Sequence, residues 1–143
     1  MRPRPLPLLV LIVALSAAAC GGGSGDGDGG PTGATGETTQ AQADRAMSGL
    51  CDIATGAVTE SGDILEAFQT RAHEILHHIA SAAQEIDPVV AGALLEATSV
   101  VEADLLLTPF PSDLPAHARA LATAFAGALE TIGLQPAPCP SAT

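Results

Sequence analysis

The sequence predicts an all-α fold, an antiparallel four-helix bundle standing behind a signal peptide and a Gly-rich tether. Two observations lead to it. Apolar residues recur at three- and four-residue spacing through four segments of about twenty residues joined by short breaks, and no stretch alternates with period two for long enough to argue a strand.

The first helix runs from about Thr39 to Val58, with Ala43, Met47, Leu50, Ile53 and Ala54 on its apolar face. The second, from about Asp63 to Ile86, carries the seam Leu65, Phe68, Ala72, Ile75, Ile79, Ala83 and Ile86. Asp87-Pro88 then reads as an N-cap followed by proline at the first helical position, opening a third helix to about Leu107. Thr108-Pro109-Phe110-Pro111 breaks that helix, and Ser112 or Asp113 caps a fourth. Its stripe is Leu114, Ala118, Leu121, Phe125, Ala128 and Ile132, ending at Gly133. Residues 39–143 therefore form the helical domain.

The preceding residues have a different character. MRPRPLPLLVLIVALSAAAC opens with two arginines, continues with an apolar run from about Leu6 to Leu15, and closes on small residues. Residues 1–19 read as a signal peptide, too short to be a stable membrane span. Ser16-Ala17-Ala18-Ala19-Cys20 resembles the lipobox of bacterial lipoproteins, although Ala17 stands where most carry Leu or Val. The resemblance implies acylation of Cys20, palmitate included, and cleavage just before it; ordinary secretion with a free Cys20 is the alternative. Residues 20–38 then comprise the lipidated cysteine and a flexible Gly, Ser, Asp and Thr linker. The expected location is the extracytoplasmic face of the cell membrane.

Removal of the signal peptide leaves Arg45, Arg71 and Arg119 as the basic residues, against all sixteen acidic ones, for a net charge of −13. So acidic a domain, with no lysine, is not expected to bind nucleic acid, and anionic lipid head groups would repel it. The membrane is therefore a partner through the acyl chains alone; the sequence names no protein partner. With Cys20 assigned to lipid, Cys51 and Cys139 remain, one near each end of the folded region. In an oxidising compartment they are expected to pair, closing a loop worth roughly 4 kcal/mol in the chain-entropy model; two free thiols are the alternative.

HEILHH, residues 73–78, carries the chemistry under consideration. With Phe68 at zero and about 100° per residue, His73 falls near 140° and His77 near 180°, on a polar face with Glu66, Thr70 and Gln84 and largely outside the core. Their i, i+4 spacing lets both imidazoles bind one ion, zinc or copper. Two ligands bind weakly, so a third is needed: Glu66, or a carboxylate such as Glu102 from a neighbouring helix.

His-Glu-x-x-His also resembles the gluzincin signature, with Glu96 on the next helix as the later glutamate ligand. Ten residues lead from His77 to Asp87 and nine from Asp87 to Glu96, so a hairpin sets them at one height. The resemblance implies zinc on His73, His77 and Glu96 with Glu74 as general base. Against it, Glu96 points about 120° from its own apolar stripe. The chain supplies no strand to hold a peptide and no tyrosine, leaving only His78 or His117 as second electrophile. Solvated surface residues, a non-catalytic metal site and polar contacts to a protein partner are the other readings.

CDIA at 51–54, FQTRAHEILHHIA at 68–80, LLEATSVVEADL at 94–105 and Pro138-Cys139 together resemble a group of small helical lipoproteins of high-GC actinobacteria with no established activity. The resemblance gives the spaced histidines more weight than Glu74, favouring a binding or structural module over an enzyme. Glycine-rich phosphate loops and nucleophile elbows are absent from the sequence, and the scarcity of aromatics disfavours stacking on sugars or bases.

Overall fold

The computed structural model describes residues 38–140, which are helical with no strand among them. The residues expected to form the signal peptide, Cys20 and almost all of the expected linker lie outside these residues. Helix α1 is Gln40–Thr55. The second helical region consists of α2 (Ser61–Leu65), a π-helical segment (Glu66–His73) and α3 (Glu74–Gln84), with helical backbone angles at both joints. Helices α4 (Pro88–Leu105) and α5 (Leu114–Thr131) follow. No helix among the described residues is long and apolar enough to cross a membrane.

Each boundary has a local cause. Thr39 and Gln42 form a capping box: Thr39 Oγ1 accepts from the Gln42 amide, and the Thr39 amide donates to Gln42 Oε1 at 2.8 Å. The helix ends earlier than its periodicity predicts, because Gly56 takes the left-handed conformation at φ 71°. Gly56 N then donates to Ile53 O and Ala57 N to Asp52 O, the paired bonds of a Schellman turn. Gly133, at φ 83°, closes α5 in the same way, with Leu134 N donating to Leu129 O. Asp87 caps α4 as the sequence predicts, Oδ1 accepting from the amides of Val89 and Val90 ahead of the following Pro88. Asp113 holds the N-cap position of α5 without a side-chain cap bond.

The predicted faces of α1 and α5 are the buried ones, Ile132 alone being only partly covered. The second helical region departs from expectation. Its buried residues are Ile64, Ala67, Phe68, Ala72, Leu76, Ile79, Ala80 and Ala83, whereas Leu65 and Ile75 are only half-buried and Ile86 is 63% exposed. The π-helical segment is the reason. Ile64, Phe68, Ala72, Leu76 and Ala80 repeat every four residues. In a continuous α-helix that repeat drifts by about 40° per step off the interface. The i to i+5 bonding of a π-helix winds more residues into each turn and absorbs the drift.

Helix α1 packs on α5 and on the π-helical segment, α5 on α4, and α4 on α3. Alanines make up nearly half of the buried apolar residues, so the core is thin and the helices approach closely. The closest approach is at Gly49, where a Cβ would collide with the Ala67 carbonyl oxygen and lie 3.2 Å from Arg71 Cβ. Near that crossing Arg71 donates to Asp52 Oδ2 at 2.7 Å, and Arg119 of α5 donates to the Ala54 carbonyl at the end of α1. After Gly133 the tail turns back along α1. Gln40 exchanges two hydrogen bonds with the Gln135 backbone, and Cys139 is disulfide-bonded to Cys51 with Cα atoms 5.2 Å apart.

Two stability predictions follow from this packing. Reducing the Cys51–Cys139 bond, which spans 88 residues, is expected to lower unfolding free energy by about 3–5 kcal/mol; denaturant midpoints with and without reductant measure it. Gly49→Ala is expected to cost about 1–3 kcal/mol through overpacking against the Ala67 carbonyl, whereas Gly92→Ala on the open side of α4 stabilises or is neutral. Equal effects of the two substitutions would contradict the close approach.

Candidate metal centre

His73 ends the π-helical segment, and its surroundings follow from that position. In an α-helix, residues five apart point about 140° from one another. Here the rings of Phe68 and His73 meet edge to face with centroids 5.7 Å apart. The wide turn therefore swings His73 from the predicted outer face to the edge of the core, where its side chain is 43% exposed. His77, one α-helical turn later, lies with its ring centroid 4.8 Å from that of His73.

Helix α4 supplies the carboxylate. Its buried stripe is Ala91, Leu94, Thr98, Val101 and Asp104. Glu102 follows Val101 by one residue and so stands about 100° round the helix, on the flank of the stripe. Ala72 and Leu76 are likewise buried and followed at once by His73 and His77. The chain also matches their heights: His73 comes fourteen residues before Asp87, and Glu102 fifteen after it.

Both imidazoles present Nε2 to one oxygen, Oε1 of Glu102, His73 at 2.9 Å and His77 at 3.8 Å. The three candidate ligand atoms all lie within 4.8 Å of one another. Ligand atoms of a tetrahedral zinc ion, with bonds of about 2.0–2.1 Å, sit about 3.3 Å apart; His73 Nε2 stands closer than this to Glu102 Oε1, at hydrogen-bond distance, and His77 Nε2 farther. Among the described residues this is the one group of three or more His, Cys, Asp or Glu side chains close enough to share an ion. Beside it a cleft of about 510 Å³ is lined by His73, Glu102, Phe68, Gln69, Leu105 and Leu106.

The other residues singled out in the sequence lie elsewhere. Glu96 is exposed and outside the group, because it sits two positions from both Leu94 and Thr98, on the far side of α4. Glu66 is exposed and also outside it. Glu74 lines a small polar pocket with Gln42, Arg45, Thr70, Arg71 and Ile75, and its Oε1 lies 4.0 Å from His78 Nε2. It does not share the cleft beside His73 and Glu102.

His117 has a partner that the sequence reading did not single out. Its Nδ1 donates to Oδ2 of Asp104 at 2.6 Å across the α4–α5 contact, and the Asp104 side chain is only 12% exposed. The available signal was periodicity: Asp104 continues the spacing of Leu94, Thr98 and Val101. Comparison of the chain with family models, with curated proteins and with solved structures found no match.

Proposed function

We propose that this chain is a lipid-anchored extracytoplasmic protein whose domain, read as an antiparallel four-helix bundle, binds one divalent transition-metal ion through His73, His77 and Glu102. The observation that carries this reading is the convergence of two Nε2 atoms on one carboxylate oxygen. Two neutral imidazoles and a carboxylate suit zinc, with copper as its competitor, and leave a coordination position open. The ion would brace α3 against α4 and draw on binding energy that the thin, alanine-rich core does not supply.

Hydrolysis is not part of the reading. A general base must stand beside the metal-bound water, and Glu74, to which a peptidase would assign that role, lines a different pocket from that beside His73 and Glu102. The anchor rests on the sequence: an apolar run ending at Cys20, followed by a polar glycine tract. The bundle topology rests on four helices joined by connections of three to eight residues, each packed on its neighbours.

Titration of the purified chain with zinc and with copper, followed by calorimetry, tests the metal reading. The expected result is one ion per chain at micromolar or tighter affinity, lost in the His73→Ala/His77→Ala double variant. Glu102→Ala weakens binding at least tenfold, and Glu96→Ala leaves it unchanged. Wild-type heats no different from those of the double variant would end the metal reading. Loss on Glu96→Ala with retention on Glu102→Ala would restore the gluzincin set. For the anchor, Cys20→Ala is expected to move the protein from the membrane fraction to the medium; retention at the membrane would refute lipidation.

A further inference from the structure

We infer that the metal centre proposed above, on which this inference rests, takes as its fourth ligand a small monocarboxylate bearing a short apolar chain, received in the adjoining cleft. Charge comes first. A divalent ion held by two neutral imidazoles and one carboxylate keeps one net positive charge, which a monoanion neutralises. The position that three protein ligands leave open is where an exogenous donor enters, and two of the three ligands, His73 and Glu102, themselves form a wall of the cleft.

The rest of the lining selects what the donor is attached to. Phe68, Leu105 and Leu106 are apolar and face the same space as the ligands. A volume of about 510 Å³ falls within the range of small-molecule sites. Gln69 provides the polar group of the lining other than the ligands, and its amide N–H can donate to the carboxylate oxygen that does not bind the ion. Leu106 is 85% exposed in the free protein, so an alkyl or aryl group seated against it removes apolar surface of both partners from water. A doubly charged or wholly polar anion satisfies the ion but leaves this wall uncovered. A neutral hydrocarbon covers the wall but leaves the charge unbalanced.

The test uses cobalt(II) as the metal probe and two hydroxamates, carboxylate surrogates that bind metals more firmly, as the ligand probes. Visible absorption of the cobalt-loaded full chain first reports whether the ion is held; no band means that the metal reading has failed and takes this inference with it. With the band present, acetohydroxamate and hexanohydroxamate are titrated in turn, each shifting the spectrum. Four additional methylenes, each worth up to about fourfold when fully buried, should tighten binding at least tenfold in a cleft open on one side. Leu106→Ser, at an exposed position, should reduce that ratio below about threefold while cobalt affinity stays as in the wild type. A bound cobalt ion with equal affinity for the two hydroxamates, or a chain-length ratio indifferent to Leu106→Ser, would overturn the cleft while leaving the metal site standing.

Discussion

The π-helical segment Glu66–His73 is the constraint on which the rest of the arrangement depends. Five small or apolar residues at four-residue intervals, Ile64 to Ala80, are buried in the second helical region, a spacing that in a continuous α-helix drifts by about 40° per step. The wider winding reconciles the spacing with a straight contact against the neighbouring helices. The same segment meets α1 at its tightest point, where Gly49 leaves room for the Ala67 carbonyl, and Arg71 reaches Asp52 beside it. It also turns His73 onto Phe68. Core packing, the α1 crossing and placement of the candidate ligand thus share one local cause.

Helix α4 organises the charged groups. It contains no basic residue, and its carboxylates at 102 and 104 stand about 200° apart, so each flank of the helix carries one. Glu102 meets His73 and His77 of the second helical region and its end, and Asp104 meets His117 of α5. With three arginines in the described residues, two of them already bonded to Asp52 and to the Ala54 carbonyl, histidines serve as the cross-helix partners of these acids. The two clusters differ in the number of histidines. One histidine bonds to Asp104, whereas at Glu102 His73 bonds to the carboxylate oxygen and His77 stands 3.8 Å from the same atom.

The tail completes the domain in a way that helix packing alone does not. Alanine contributes little apolar area, so burial per residue in this core is modest. The Cys51–Cys139 bond removes chain entropy from the unfolded state instead, and the paired Gln40–Gln135 hydrogen bonds hold the returning segment to the start of α1. Covalent closure and helix capping at Thr39, Gly56, Asp87 and Gly133 thereby supplement limited hydrophobic burial.

What the sequence determined by itself is local in origin. The helical class, the faces of α1 and α5, the Asp87-Pro88 start and the Gly133 stop depend on side-chain spacing and on backbone preferences of single residues, and all are present in the structure. The expected pairing of Cys51 with Cys139, reached by setting Cys20 aside for lipid, is present in the structure. Only the tertiary structure decided the phase of the second helical region, because a π-helical turn forms where packing against α1 outweighs the ordinary α-helical period, and no single residue type announces it. That phase decided that His73 lies at the edge of the core beside Phe68 rather than on an outer polar face. Among the carboxylates weighed in the sequence, helical periodicity already turns Glu96 away from the buried stripe of α4, whereas the approach of Glu102 to the histidines depends on how α3 and α4 meet.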